Sequence, residues 1–301
     1  MFQQILCPVD FSEGSRRAIP YAVALARLHR SILTVLHVTP QSFVMPGLPP
    51  LAEGETNLDE SRRLATEVAA MFESATQAGI KVEVLIDCGQ AAHQILSRAG
   101  ALPADVIVLG TNGAAPFEHL MLGSVAEKVL RKATCPVLTV PPHAEAAHGA
   151  AFRKIVCAVD FSEWSLAALD EACALAEESH GDVTAVHVIE WPWHELPVPS
   201  FEGLPPEQAA ALADFRRYQE TMAKARIEAV KTEIGRGRCR IETRVSHGKP
   251  YAELLCVVER QRADLLVMGV HGRSALDVFF FGSTTHHVVR RAPCPVLTLR
   301  H

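Results

Sequence analysis

Apolar positions in the first half of the chain follow two alternating patterns. Short runs rich in β-branched residues predict strands, and segments with apolar positions at helical spacing predict the helices between them. The predicted strands are 2–9, 32–38, 81–86, 105–109 and 135–140. The predicted helices are 16–29, 58–78, 91–98 and 123–132. Strands that alternate with helices are typical of a parallel, doubly wound α/β sheet, in which ligands bind beyond the carboxyl ends of the strands.

Local signals add detail to the first helix and to the connection that follows the second strand. Ser12 is predicted to be the N-cap of the first helix. Pro20 lies well inside that helical segment, so we expect it either to kink the helix or to mark a late start of its regular part. Residues 40–54 are rich in proline and glycine, and they predict a loop.

The second half of the chain repeats the first. Residues 7–13 recur 150 positions later, at 157–163, with one change. The glycines and the last strand recur 159 positions later, a shift that is larger by nine residues. The proline-rich stretch 191–214 is predicted to be the loop that contains the additional residues. The repeat predicts two domains, at 1–142 and 151–301, joined by a linker at 143–150.

A glycine-rich motif follows an apolar strand in each half. In the second half Gly269 and Gly272 let the backbone turn tightly and approach a ligand closely. Gly282 and Ser283 then open a predicted helix, whose free N–H groups and positive dipole end favour an anion such as phosphate. Because the motif occurs twice, it predicts a phosphate-binding unit and not an isolated turn.

Composition narrows the class of protein. The chain has 301 residues, of which 49% are hydrophobic and 21% are charged, as is typical of a globular protein. A formal net charge of −5 argues against nucleic acid as the main partner. No apolar run approaches the ~20 residues that span a bilayer, and the N-terminal residues lack the basic region of a signal peptide. A cytoplasmic protein without a membrane partner is therefore expected.

The candidate metal ligands do not have the spacing of a metal site. The chain contains eight cysteines, and none forms a Cys-x-x-Cys pair. Most of them lie inside apolar runs, so buried and reduced thiols are expected. His286 and His287 are adjacent in the sequence and therefore point to different sides of a helix. No metal site is expected.

The duplicated motif resembles that of the ATP-binding branch of the universal stress protein family. Gly-x-x-Gly, nine residues and Gly-Ser occur in both halves, after an apolar strand and before Cys-Pro-Val-Leu-Thr. The resemblance covers essentially the whole chain, and it implies two tandem doubly wound α/β domains, each with five parallel strands in the order 3-2-1-4-5. It also implies that domains pair through their last strands, 136–140 and 295–299, within the chain or between two copies in a homodimer.

The resemblance further implies two nucleotide sites, with ATP as the ligand and Mg²⁺ as its companion. The implied adenine-binding residues are Val9, Asp10 and Val38 in the first half, and Val159, Asp160 and Val188 in the second. The implied ribose- and phosphate-binding residues are Gly110, Gly113, Gly123, Ser124 and Val125 in the first half, and Gly269, Gly272, Gly282, Ser283 and Thr284 in the second.

The two copies differ beside the phosphate path. In the second half His271 and Arg273 flank Gly272, whereas the first half has Asn112 and Ala114 at the corresponding positions. A cation beside a phosphate adds charge-assisted hydrogen bonds. The second half is therefore predicted to be the better nucleotide site.

Structural explanations compete with each of these assignments. The glycines can serve as turns and packing sites alone. Asp10 and Asp160 can cap the helices that follow them. His37 and His187 lie within strands and are expected to be satisfied core histidines and not catalytic groups.

The sequence favours binding over catalysis. It contains no Gly-Lys-Ser/Thr phosphate loop, nucleophile elbow or zinc-protease motif, and a nucleotide held by backbone amides is hydrolysed slowly if at all. The leading hypothesis is a stress-response protein that binds ATP and acts as a nucleotide-dependent signalling module. The alternatives are a slow ATPase and a nucleotide-free protein that binds a protein partner of unknown identity through 191–214.

Overall fold

The chain forms two compact units. One consists of residues 1–150 with 300–301, and the other of residues 151–299. The computed structural model describes residues 2–40, 56–111, 122–142, 144, 152–190, 205–270 and 282–300. Most of the predicted linker at 143–150 therefore lies outside the described residues.

The first unit is a parallel sheet whose strands alternate with helices. Its elements are β1 (Gln4–Val9), α1 (Glu13–His29), β2 (Ile32–Thr39), α2 (Thr56–Ala70), α3 (Glu73–Gln77), β3 (Lys81–Cys88), α4 (Ala91–Ala101), β4 (Val106–Gly110), α5 (Ser124–Lys132) and β5 (Val137–Val140). The strands lie in the order β3-β2-β1-β4-β5, and each neighbouring pair is parallel.

The second unit repeats this arrangement. Its elements are β6 (Lys154–Ala158), α6 (Glu163–Ser179), β7 (Asp182–Ile189), α7 (Pro206–Gly235), β8 (Arg240–His247), α8 (Pro250–Gln261), β9 (Leu265–Gly269), α9 (Ser283–Arg291) and β10 (Val296–Leu299). Its strands lie in the order β8-β7-β6-β9-β10, again all parallel. The predicted α/β fold, with two doubly wound sheets of order 3-2-1-4-5, is confirmed.

The central strands are buried along almost their whole length, whereas the outer strand β3 carries charges. Every residue of β1 from Ile5 to Val9 is buried, as is every residue of β4 from Val106 to Leu109. The outer strand β3 instead carries an ion pair of 2.7 Å between Lys81 and Glu83. Such charges protect a strand that has a neighbour on one side only. This difference explains why the sequence shows continuous apolar runs for some strands and alternation for others.

A carboxylate at the amino end of each sheet holds the first strand in place. Asp105, which precedes β4, accepts hydrogen bonds from the backbone N–H groups of Gln3 at 2.6 Å and Gln4 at 2.9 Å. Asp264 accepts the corresponding bonds at the start of β6, at 3.0 and 2.9 Å. The two units thus use the same device to join segments that are more than one hundred positions apart in the sequence.

The helix starts follow the sequence signals. Ser12 caps α1, because its hydroxyl accepts the Ser15 N–H at 3.2 Å, as predicted. The helix continues through Pro20 without interruption. Ser162 caps α6 in the same way. Within the ranges described, no helix combines the length and the apolar character needed to cross a bilayer.

Two of the predicted boundaries are wrong. The predicted helix 58–78 is divided into α2 and α3, because Phe72 leaves the helical dihedral angles (φ −114°, ψ 12°) and is fully buried. The predicted loop 191–214 is helical from Pro206 onward. Proline was the signal for the loop, but Pro206 occupies the first helical position, where the missing N–H costs nothing.

The nine additional residues of the second unit therefore lengthen a helical segment. Both α2 and α7 begin 17 positions after the preceding strand ends. From there to the next strand the first unit has 25 positions, from Thr56 to Lys81, and the second has 34, from Pro206 to Arg240. The connections before these helices have equal length, and the difference falls between the helix start and the following strand.

Gly110 shows why one glycine of the motif is needed for packing. It ends β4 directly beneath the first turn of α1, where a Cβ would lie 2.5 Å from the Gly14 carbonyl carbon and 3.1 Å from the Ser15 nitrogen. Only a residue without a side chain permits this approach of strand and helix. Gly110 therefore has a packing role alongside any contact with a ligand.

We expect Gly110→Ala to destabilise the first unit by about 2–3 kcal/mol, because the added methyl group requires strand or helix to move. Gly100→Ala is the matched control: Gly100 lies in α4, and its Cβ would meet nothing within 4 Å. That change should stabilise the unit by about 0.5–1 kcal/mol through helix propensity. Urea unfolding followed by circular dichroism measures both. Similar effects in the two variants would contradict the packing role.

Candidate functional site

A cavity of about 900 Å³ lies at the carboxyl edge of the sheet in the second unit. It is formed where the chain leaves β6, β7 and β9, and by the start of α9. Seven of the predicted residues line it: Val159, Asp160, Val188, Gly269, Gly282, Ser283 and Thr284. Four further predicted residues lie outside the described residues: His271, Gly272, Arg273 and, in the first unit, Gly113.

A hydrogen-bonded turn directs the chain from β6 across the cavity. Oδ1 of Asp160 accepts the backbone N–H of Ser162 at 2.9 Å and its hydroxyl at 2.5 Å. The residue between them, Phe161, has a φ of 65°, a left-handed conformation that is uncommon for a bulky side chain. Asp160 thus does not cap α6 itself. It holds the residue that does, Ser162.

His187 fixes the wall behind this turn. Its Nδ1 lies 2.8 Å from the carbonyl oxygen of Val159. Because a carbonyl only accepts, Nδ1 carries the proton and donates. The imidazole also packs on the ring of Phe161, with 4.4 Å between the ring centroids, and His187 is buried. These contacts give His187 a structural part in the cavity wall, in agreement with the interpretation of it as a core histidine.

One face of α7 closes the side of the cavity. Gln219, Met222, Ala223 and Arg226 line it at the spacing i, i+3, i+4 and i+7, which places them on one helical stripe. The guanidinium of Arg226 lies over the ring of Phe161, 4.3 Å from its centroid. This stripe was missed from the sequence, where the stretch before it was predicted as a loop. The spacing of the four residues is helical, but nothing in the sequence marks which face of the helix borders a cavity.

The start of α9 is held against the end of β9. The Gly282 N–H donates to the Val270 carbonyl at 3.3 Å. The Thr285 hydroxyl donates to the Gly269 carbonyl at 3.3 Å. Gly282 is the N-cap of α9 and has no side chain with which to satisfy the first-turn N–H groups of that helix. The cavity therefore borders the positive end of a helix dipole.

The cavity is chemically mixed. Buried apolar side chains, among them Val159, Val186 and Met268, line one part of it. Among the described residues, the charged side chains that line it are Asp160, Glu190 and Arg226. The site thus offers an apolar surface, carboxylate acceptors, and a cation together with a helix N-terminus. A flat apolar group with hydroxyls and an anionic tail has the matching chemistry.

The first unit has the same turn and the same histidine contact. Oδ1 of Asp10 accepts the Ser12 N–H at 3.0 Å and hydroxyl at 2.5 Å, and Phe11 has a φ of 62°. Nδ1 of His37 lies 2.8 Å from the Val9 carbonyl. The other predicted residues described in this unit occupy equivalent element ends: Val38 in β2, Gly110 at the end of β4, Gly123 before α5, and Ser124 and Val125 in its first turn.

Sequence comparison gives the same two-part division. The model of the universal stress protein family matches residues 1–141 and again residues 151–300. A universal stress protein of Mycolicibacterium smegmatis is 28% identical over 306 residues, which cover 98% of this chain and 96% of that protein. The universal stress protein YxiE of Bacillus subtilis is 32% identical over 149 residues, 46% of this chain and 99% of its own length.

Structural comparison supports the fold of the whole chain. The crystal structure of a universal stress protein from Archaeoglobus fulgidus has a TM-score of 0.68 and 24% sequence identity, and the match covers 98% of this chain and 97% of that one. The two family matches together span nearly all of the sequence, one in each unit. The chain therefore belongs to the universal stress protein family, as a tandem of two family domains.

Proposed function

We propose that the second unit binds an adenine nucleotide, with ATP as the principal ligand, and that occupancy of this site is the signal the protein carries under stress. One observation supports the proposal above the others. Residues that the repeat singles out on four separate segments converge on a single cavity. Its volume of about 900 Å³ lies in the range of small-molecule sites.

The base is assigned to the apolar part of the cavity. The ends of β6 and β7 contribute Val159, Val186 and Val188, and Met268 contributes from β9. A purine ring gains from burial against such side chains roughly in proportion to the apolar area removed from water. The choice of adenine over other bases rests on the family resemblance.

The ribose is assigned to Asp160. One oxygen of its carboxylate is engaged by Ser162, which fixes the orientation of the group at the cavity wall. A fixed carboxylate accepts hydrogen bonds from the hydroxyls of a sugar without a further loss of side-chain entropy. Asp160 is therefore the side chain whose removal should affect the ligand most directly.

The phosphates are assigned to the start of α9. The first-turn N–H groups at Ser283 and Thr284 have no capping side chain from Gly282, and both residues line the cavity. Backbone donors and the helix dipole together favour an anion at such a position. Arg226 of α7 contributes a positive charge to the same cavity.

The two units differ in this charge. Val68 of α2 and Ile227 of α7 are 159 positions apart, the same shift as between the two glycine motifs, and both are buried. We therefore align the two helices by this shift. By the same shift, the position of Arg226 corresponds to Glu67 in the first unit. An acidic residue there disfavours a polyphosphate, so we assign the tighter site to the second unit.

Asp160→Ala should weaken ATP binding about tenfold or more, since a hydrogen bond to a charged group contributes about 1.5–3 kcal/mol. Isothermal titration of the full chain with ATP, with and without Mg²⁺, measures the change. Asp10→Ala is the matched control, because it removes the same turn in the first unit and should leave the tighter site unaltered. Equal losses from the two substitutions would contradict the assignment of the site to the second unit.

Arg226→Met should lower ATP affinity about threefold to tenfold and reduce its dependence on salt, because it removes a charge near the phosphates and keeps the aliphatic length. Lys224→Met is the control for net charge. Lys224 lies on the same helix, pairs with Glu220 at 2.6 Å, and is not among the residues that line the cavity. The proposal fails on this point if both variants bind ATP with the same affinity and salt dependence.

The same protein samples distinguish binding from turnover. ATP incubated with the chain and Mg²⁺ should be recovered as ATP on denaturation, with ADP appearing only slowly. ADP release that falls in Asp160→Ala would favour the slow ATPase. Absence of any bound adenine nucleotide and of any thermal shift would favour the nucleotide-free, partner-binding alternative.

A further inference from the structure

Cys7, Cys157 and Cys294 are poor nucleophiles because they are buried. Burial raises the pKa of the Cys7 and Cys294 thiols to about 12, and it also raises the pKa of Cys157. A thiol that stays protonated at neutral pH reacts slowly with oxidants. One pair in the second unit differs, Cys173 and Cys239.

Cys173 and Cys239 meet between two elements that are far apart in the sequence. Cys173 lies in the middle of α6 and is fully buried, whereas Cys239 lies in the turn between α7 and β8 and is partly exposed. The two thiols lie close enough for each to shift the pKa of the other, and both cysteines are free. The pair therefore combines a thiol within reach of solvent with a buried neighbour in contact.

A second contact holds the turn against α6 beside the thiols. Arg238 precedes Cys239 and donates to Asp170, one helical turn before Cys173, at 2.5 Å. The same guanidinium nitrogen donates to the carbonyl of Ile234 at 2.8 Å, near the end of α7. The Arg238 side chain is thereby tied to both helices, and it holds the turn that carries Cys239 against α6 at the level of Cys173.

The neighbouring charges make Cys239 the more reactive of the two. The interaction with Cys173 lowers the pKa of the Cys239 thiol, and the positive charge of Arg238 lowers it further. Burial of Cys239, with Asp182 and Glu177 nearby, acts in the opposite direction but does not prevail. The interaction with Cys239 and the burial of Cys173 both raise the pKa of the Cys173 thiol, which therefore keeps its proton.

The first unit shows that this pair is not required by the fold. At the positions that correspond to Cys173 and Cys239, by the shifts of 150 and 159, it has Val23 and Ile80. Ile80 is buried just before β3, as Cys239 lies just before β8. The first unit thus has aliphatic side chains at both positions, so the fold itself does not require sulfur there.

The geometry points to Cys173 and Cys239 as a reversible thiol oxidation site that forms a disulfide with peroxide as the oxidant. The Cys239 thiolate attacks one peroxide oxygen, the O–O bond breaks, and Cys239 becomes a sulfenic acid while the other oxygen leaves as water or an alcohol. The Cys173 sulfur then attacks the Cys239 sulfur, an S–S bond forms, and hydroxide leaves with the Cys173 proton as water. Two thiols and one peroxide are consumed, and a dithiol reductant restores the pair.

The Cys173–Cys239 site does not depend on the proposed nucleotide binding. It is connected to the cavity by helix α7. Cys239 follows the end of α7, and Met222 and Arg226 of the same helix line the cavity. A disulfide would fasten the end of α7 to α6. Covalent closure between residues this far apart restricts the unfolded chain and should raise the unfolding temperature of the second unit by several degrees, about 5 °C.

The test uses the full chain treated with one equivalent of hydrogen peroxide and then alkylated. A protease that cleaves after glutamate places Cys173 on the peptide 172–177 and Cys239 on 234–242, and Glu163 separates Cys157 from both. Mass spectrometry should show these two peptides linked, with the loss of two hydrogen atoms, and the link should disappear with dithiothreitol. In Cys173→Ser, Cys239 should instead accumulate as a sulfenic acid that dimedone traps.

The matched control is the double variant Cys173→Val/Cys239→Ile, which installs the residues of the first unit. It should keep the circular dichroism of the parent, form no link, and show no rise in unfolding temperature after peroxide. The inference is overturned if the parent leaves both thiols free to alkylate, if Cys239 is oxidised directly to the sulfinic acid, or if either cysteine links to Cys157 or to any other cysteine.

Discussion

One aspartate in each unit sets the direction in which the chain leaves the first strand at the carboxyl edge of the sheet. In the second unit Asp160 holds Ser162 by two hydrogen bonds, and Phe161 between them is forced into a left-handed conformation. Because of that conformation its ring packs on His187 and lies beneath Arg226. The helix cap, the histidine and the cavity wall thus all depend on a turn of three residues, and the first unit repeats the same turn.

The parts of this architecture that depend on residues close together in the sequence could be predicted from it. Strand runs, the Ser12 cap and the glycine motif are local patterns, and the repeat showed that they belong to one fold used twice. The α7 wall could not be predicted in the same way. Which face of a helix turns toward a cavity depends on its packing against distant strands, and Pro206 at the helix start was read as part of a loop. Likewise, nothing in the local sequence indicates that Cys173 and Cys239 meet.

The two units separate what the fold requires from what one copy has added. Both have the aspartate turn, the buried histidine and the carboxylate before the fourth strand. Only the second has the longer helix α7, a cation at Arg226 and a pair of thiols in place of Val23 and Ile80. Shared features account for the sheet and its edge. The features that differ lie around one cavity and along the helix that borders it, which is why the proposed chemistry is assigned to that unit.

The bonds between Asp105 and the first strand also affect the order of folding. Ile5 pairs with Leu33 across the connection that contains α1, but with Val106 only after about a hundred residues have intervened. Closing so long a loop costs entropy before the contact stabilises the sheet, so topologies of this kind fold slowly. During synthesis, the central strand of each unit must remain half paired until most of that unit has left the ribosome. The order of the repeat allows the first unit to complete its sheet before the second begins.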